Sequence, residues 1–159
     1  MAGAPAETMF ETLKDLFDTL VPPRDARDDV PPLQLACAAL LVEVMRSERE
    51  VTPAARASVV AELRQQFGLA DDALQQLVAL AERAVAEASD LFGFTSAVDE
   101  AWDTGQKIAI VEAMWRVAYA DGVLGDHEQH LLWRIADLLH VPHGAYVHAR
   151  RRAREAAGA

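Results

Sequence analysis

Three carboxylates lie within the eight residues of Asp121–Glu128, a short segment between two apolar stretches of the sequence. They belong to Asp121, Asp126 and Glu128. Carboxylates gathered at a tight connection between helices either cap the helices or hold a hard cation. We therefore predict a divalent-cation site at these three residues.

Two questions about this site stay open at the level of sequence. Its ligand set could be completed by backbone carbonyls or by carboxylates from elsewhere, such as Glu48 or Glu50. A purely structural alternative makes Gly122 the C′ residue of one helix, Asp126 the N-cap of the next and Glu128 a first-turn partner of the helix dipole.

Known metal motifs do not explain the segment. Gly122 and Glu128 have the spacing of an EF-hand loop, but the first two ligand positions fall on Val117 and Tyr119, which carry no carboxylate. His127 and His130 lie three residues apart, whereas a zinc-protease helix needs histidines four apart. Both motifs are therefore excluded.

Catalytic motifs are also missing from the sequence. It has no Glu-x-x-His pair, glycine-rich phosphate loop, Cys/His cluster or nucleophile elbow. We predict no catalytic residue, no cofactor other than a divalent cation, and a protein that is not an enzyme.

An alternative function is a small-ligand regulator or enzyme with a pocket between helices. It needs polar groups such as Glu43, Glu112 and Arg116 to converge on a cavity. Glu112 and Arg116 are four residues apart, which suits an ordinary ion pair within one helix. The three tryptophans are predicted to be core and packing residues rather than a cofactor platform: Trp102, Trp115 and Trp133.

Composition limits the class of protein. A chain of 159 residues predicts one domain, and a net charge of −10 argues against nucleic-acid binding. A local basic patch near the C-terminus is either a solvated helix end or a contact for an anionic partner; it comprises Arg150, Arg151, Arg152 and Arg154. The single cysteine, Cys37, lies in an apolar run and predicts a buried thiol in the cytoplasm.

Helical spacing of apolar residues predicts an all-α single-domain bundle of seven to eight helices. We expect caps at Thr52, Asp71, Thr95 and Asp126, with Gln129 completing a capping box, and a helix start at Thr104. The predicted helices of the main body are 33–46, 53–67, 72–88, 90–102, 105–120, 127–139 and 144–156.

The N-terminal part is predicted to form a separate unit. Residues 1–21 contain an amphipathic helix, Met9–Val21, and residues 22–32 form a Pro-rich linker to the domain 33–159. The helix could pack on the domain, swap within a homodimer or dock on a membrane as part of an adaptor. Its carboxylates outnumber Lys14, the wrong polarity for anionic lipid.

A faint internal repeat relates two parts of the chain. Val44–Thr52 can be laid over Val117–Gly125: in both, an apolar helix ends, an acidic turn follows and another helix begins. Two helical hairpins related by pseudo-twofold symmetry would explain the match, and chance similarity between Ala/Leu-rich helices is the alternative.

The sequence MWRVAYADG, followed by DHEQHLLWRIADLLHV, resembles the second half of the TerB-like family, named from tellurite resistance. LLVEVMRSEREV resembles its first half. The resemblance implies two related hairpins and a non-catalytic scaffold or sensor with protein partners in stress responses or membrane-linked complexes. It also implies metal binding at Asp121 and Glu128, which match the family's ADG-then-Glu pattern, with Asp126 as a neighbouring candidate.

The first turn departs from the family pattern, which is ADGEVD followed three residues later by Glu. Arg49 replaces its glycine, and Thr52 and Ala55 replace two acidic residues. Arg49 places a cation where a metal would require negative charge. A salt bridge from Arg49 to Asp121 or Glu128 is therefore the alternative to a bound metal.

Overall fold

The computed structural model describes residues 30–48, 50–122 and 124–158, and these form an all-α bundle, as predicted. The predicted helix Met9–Val21 and most of the linker lie outside the described residues. The helices are α1 (Pro32–Arg46), α2 (Pro53–Phe67), α3 (Asp71–Glu87), α4 (Phe92–Ala101), α5 (Thr104–Tyr119), α6 (Asp126–Leu138) and α7 (His143–Ala156).

Local signals in the sequence set several of these boundaries. Thr52 caps α2 by accepting a hydrogen bond from the Ala55 backbone N–H at 3.1 Å. Gly68 ends the same helix with φ +64°, a left-handed conformation that favours glycine. The predicted cap at Thr52 and the predicted end of α2 are thus confirmed.

Other predicted caps were wrong by a residue or more. Ala70, not Asp71, is the N-cap of α3, and Thr95 lies buried inside α4 rather than at its start. Gly125, not Asp126, is the N-cap of α6. In each case the predicted residue lies inside the helix, close to its start. Polar residues are frequent there as well as at the N-cap, so the residue type alone does not identify the cap.

The start of α5 is set by a capping box that was not predicted from the sequence. The Asp103 side chain accepts from the Gln106 backbone N–H at 2.9 Å, and the Gln106 side chain accepts from the Asp103 N–H at 3.0 Å. Thr104 is therefore the first helical residue.

The core is built around α1, which packs against α3, α4, α5 and α2. Cys37 is fully buried there, and burial raises the pKa of its thiol to about 12, as expected for an inert side chain. Trp115 on α5 is also fully buried, whereas Trp133 on α6 is 48% exposed. The core prediction was thus wrong for Trp133, because helical spacing does not reveal which residues on the edge of an apolar face find a neighbour.

Helix α7 covers α5 with its small and aromatic residues. The Arg150 guanidinium lies 4.9 Å from the centre of the Trp115 ring and donates to the Tyr119 hydroxyl at 2.9 Å. Among the described helices, none is long and apolar enough to cross a membrane.

Candidate functional site: an acidic cleft between two turns

The turns that connect α1 to α2 and α5 to α6 line the same cleft, which has a volume of about 620 Å³. The first turn contributes Glu48 and Glu50, which precede the cap residue Thr52. The second turn contributes the three carboxylates of Asp121–Glu128 together with His127. Two turns more than 70 residues apart in sequence thus form one surface, as expected if the hairpins are related.

The second turn is shaped by two glycines. Gly122 has φ +82°, and its N–H donates to the Tyr119 carbonyl at 3.0 Å, so the chain reverses direction directly after α5. Gly122 was predicted as the C′ residue of α5. Because Ala120 is the C-cap, Asp121 is the C′ residue and Gly122 is the next residue along the chain. The Gly125 N–H donates to Glu128 Oε1 at 2.8 Å and fixes this carboxylate at the start of α6.

Only one of the two carboxylate oxygens of Glu128 has a hydrogen-bond donor. Its residue is only 4% exposed, and Oε2 is buried without a hydrogen-bond partner. A buried carboxylate oxygen without a donor destabilises the protein unless a cation or proton compensates it. One oxygen of Glu128 is thus satisfied by the backbone, and the other lacks a donor unless a protonated Glu48 supplies one.

The first turn holds a carboxylate with less support. The Ser47 hydroxyl donates to the Val44 carbonyl at 2.6 Å, which closes α1 just before Glu48. Both carboxylate oxygens of Glu48 are buried, and neither has a hydrogen-bond partner. Glu48 is therefore the least satisfied acidic group described in the cleft.

The charges of the cleft act on one another. Burial raises the pKa of Glu48 to about 9. A protonated Glu48 can also donate a hydrogen bond to Asp121, and the negative charge of Glu128 further disfavours ionisation of Glu48. Burial also raises the pKa of Glu128, but the hydrogen bond from the Gly125 N–H opposes that rise. The cleft thus favours the protonated form of Glu48.

All three predicted ligands line this cleft: Asp121, Asp126 and Glu128. The two carboxylates suggested as additional ligands, Glu48 and Glu50, line it too. Among the described side chains, however, no group of three acidic, His or Cys residues stands close enough together to hold a metal ion. A cation here would need the carboxylates to move towards it or water to complete its shell.

The sequence signal that points to Glu48 lies in the internal repeat. Laying Val44–Thr52 over Val117–Gly125 places Glu48 on Asp121, the most distinctive acid of the second turn. Arg49, which falls on Gly122 in the same comparison, lies outside the described residues, so its predicted salt bridge stays a prediction.

The alternative ligand pocket is not assembled by its proposed residues. Arg116 forms the expected ion pair with Glu112 at 2.8 Å and a two-pronged pair with Glu62 at 2.6 and 2.8 Å. Glu43 instead lines a separate cleft of about 220 Å³ beside Arg134. Arg116 thus joins α5 to α2 through Glu62, and Glu43 does not converge with Arg116 and Glu112.

The four arginines of the basic C-terminal patch fall into two groups, one that contacts α5 and one that is exposed. Arg150 contacts Tyr119, and Arg152 pairs with Glu112 at 2.6 Å, so both help to hold α7 on α5. Arg151 and Arg154 are exposed. Only these two remain candidates for contact with an anionic partner.

Comparison with known proteins identifies a family. Residues 34–151 match the family described as tellurite resistance protein TerB, a range that includes α2 to α6 and both turns of the cleft. Neither the curated proteins nor the solved structures gave a significant match. The chain therefore belongs to the TerB family.

Proposed function

We propose that this protein is a non-catalytic TerB module whose acidic cleft binds a divalent cation and which acts as a scaffold or sensor in a stress response of the tellurite-resistance type. The observation that carries the proposal is the set of buried carboxylate oxygens without hydrogen-bond donors, on Glu48 and Glu128, beside Asp121. The wider stress role rests on membership of the family.

Burial of ionised carboxylates without partners is costly, and proximity of like charges adds to the cost. A divalent cation removes both penalties at once, because it supplies the missing partner and neutralises the repulsion. Protonation removes them only by giving up the charge. We therefore expect the cation to bind best at a pH at which the carboxyl groups of the cleft are ionised.

The donors favour a hard cation. Carboxylate oxygens suit Ca²⁺, Mg²⁺ or Mn²⁺, whereas Zn²⁺ is usually held by imidazole or thiolate. His127 is the one ring nitrogen described at this cleft, and Cys37 is buried in the core. Carboxylates on two separate turns suit the flexible coordination geometry of Ca²⁺ better than the strict octahedron of Mg²⁺.

The test is calorimetric titration of the full chain with Ca²⁺, Mn²⁺ and Zn²⁺, paired with melting temperatures. Glu48→Gln and Glu128→Gln each replace an ionisable carboxyl with an amide of similar shape, which cannot supply a negative charge to the cation. We expect each to weaken Ca²⁺ binding by tenfold or more, about 1.4 kcal/mol.

Glu87→Gln is the matched control, since Glu87 is an exposed carboxylate at the end of α3 and does not line the cleft. It should bind Ca²⁺ as the unaltered protein does. No binding heat and no change in melting temperature with any of the three ions would end the cation proposal. Equal losses in Glu87→Gln would show binding by overall charge rather than by the cleft.

The stress role needs a separate test in cells. A strain lacking the gene should become more sensitive to tellurite or to metal stress, and the unaltered gene should restore growth. Restoration by Glu48→Gln as well would separate the stress role from the cation. A deletion strain that grows normally under these stresses would refute the stress role itself.

A further inference from the structure

An apolar surface on α6 and α7 is left open to solvent. Trp133 is 48% exposed and Val147 is 42% exposed, and the His130 ring stacks on Trp133 at 6.3 Å. Trp133 also borders a cleft of about 100 Å³ that it shares with His143 and Tyr146 of α7. We call His130, Trp133, His143 and Val147 the Trp133 face.

Positive charge continues this surface along α7. His143, Val147, Arg151 and Arg154 follow one another at intervals of four, four and three residues, which places them in one row of the helix. Arg151 and Arg154 are exposed, whereas Arg150 and Arg152 are engaged with α5. The Trp133 face is thus continued along α7 by two exposed cations, Arg151 and Arg154.

The same chain contains a segment of matching character. Residues 9–20 carry apolar side chains at helical spacing together with Glu11, Asp15 and Asp18 against the single basic residue Lys14. This segment has a net charge of −2, three acidic residues against one basic. Its apolar and acidic side chains complement a surface that is apolar and basic.

The connection is long enough to allow the contact. Eight residues lie between Val21 and Val30, the first described residue, and an extended chain across these nine steps reaches about 30 Å. This is comparable to the diameter of a domain of this size. A tether of this length also raises the effective concentration of the segment to about the millimolar range, so weak contacts suffice.

We propose that residues 9–20 of the chain dock on the Trp133 face of the same molecule. Apolar side chains of the segment cover Trp133 and Val147, and its carboxylates pair with Arg151 and Arg154. The excess of carboxylates disfavours an anionic membrane as the occupant. This proposal does not depend on the cation, since the Trp133 face and the acidic cleft have no described residue in common.

A spin label can detect the contact in the full chain. Thr19→Cys supplies a single reactive thiol, because Cys37 is fully buried. Thr19 lies away from the apolar spacing of the segment, so the label leaves that face intact. We expect the label to broaden the methyl signals of Val147 and the indole N–H signal of Trp133, and to leave the indole signal of the core residue Trp115 sharper.

Phe17→Glu, added to the labelled protein, should abolish most of the broadening, since it puts a charge on the apolar face. Asp15→Asn is the milder partner, since it removes one expected pairing and should weaken the broadening only in part. Equal broadening with and without Phe17→Glu would overturn the proposal, as would no broadening at Val147 and Trp133.

Two further measurements identify competing occupants. Spin-labelled protein without ¹⁵N can be mixed with ¹⁵N-enriched protein that carries no spin label. We expect no broadening in this mixture. Broadening would mean that a second copy supplies the segment, and it would overturn docking within one molecule. Vesicles containing anionic lipid should leave the spectrum unchanged. Release of the segment onto such vesicles would favour the membrane instead.

Discussion

The two turns of the acidic cleft hold their carboxylates by different means. In the turn before α6, Gly122 adopts φ +82° and the Gly125 N–H satisfies one oxygen of Glu128. In the turn before α2, both buried oxygens of Glu48 lack a donor. Burial raises the pKa of both carboxyls, but only Glu128 has a backbone N–H that opposes the rise, so we expect Glu128 to ionise more readily than Glu48.

The largest effect that should follow from this difference is on pH dependence. The pKa of Glu48 is about 9 in the folded protein and 4.5 without the fold, so folding retains a proton that the unfolded chain releases. The free energy of unfolding should therefore be highest below pH 4.5 with respect to this group and should fall as the pH rises towards 9. Since Glu48 is only partly buried, we expect a fall of about 3 kcal/mol at most.

Urea unfolding at several pH values across that interval measures the fall. Glu48→Gln should flatten it, because the amide cannot ionise. Glu87→Gln should leave it in place. If Glu128→Gln flattened the slope and Glu48→Gln did not, the strongly raised pKa would belong to Glu128, which would contradict the prediction.

Backbone strain in the second turn should give the next largest effect. Gly122→Val places a β-branched residue at φ +82° and should cost about 2 kcal/mol of unfolding free energy. Gly144→Ala is the control: it lies inside α7, and a Cβ there meets nothing within 4 Å, so it should stabilise slightly. A neutral Gly122→Val would mean that the turn does not need its glycine.

The hydrogen bond from Gly125 to Glu128 should be worth about 1 kcal/mol, the usual value of a helix cap. Glu128→Ala removes the acceptor and should lower the free energy of unfolding by that amount without added cation. Glu128→Gln keeps an acceptor oxygen and should cost less. Equal losses in both variants would indicate that charge, and not the cap, is what stabilises Glu128.

The smallest effect concerns Arg49, the residue that distinguishes the first turn from the family pattern. If the positive charge opposes a cation, Arg49→Gln should raise Ca²⁺ affinity by about two- to fivefold, below about 1 kcal/mol. Calorimetric titration beside the unaltered protein measures the change. A decrease in affinity would instead show that Arg49 supports the site.

Much of the fold could be predicted because its signals are local. Apolar spacing located all seven described helices, and Thr52 with Pro53 fixed one helix start to the residue. The caps at Asp71, Thr95 and Asp126 were wrong because polar residues occur throughout the first turn of a helix, and only backbone angles show which one precedes it.

The sequence by itself determined the helical architecture, the family and the three acids of the second turn, because periodicity and spacing are properties of neighbouring residues. Only the tertiary structure decided that Glu48 faces the same cleft and that its carboxylate is buried without a donor. It also decided that Trp133 is exposed while Trp115 is enclosed. Burial and charge proximity depend on which distant helices meet, and no local pattern records that.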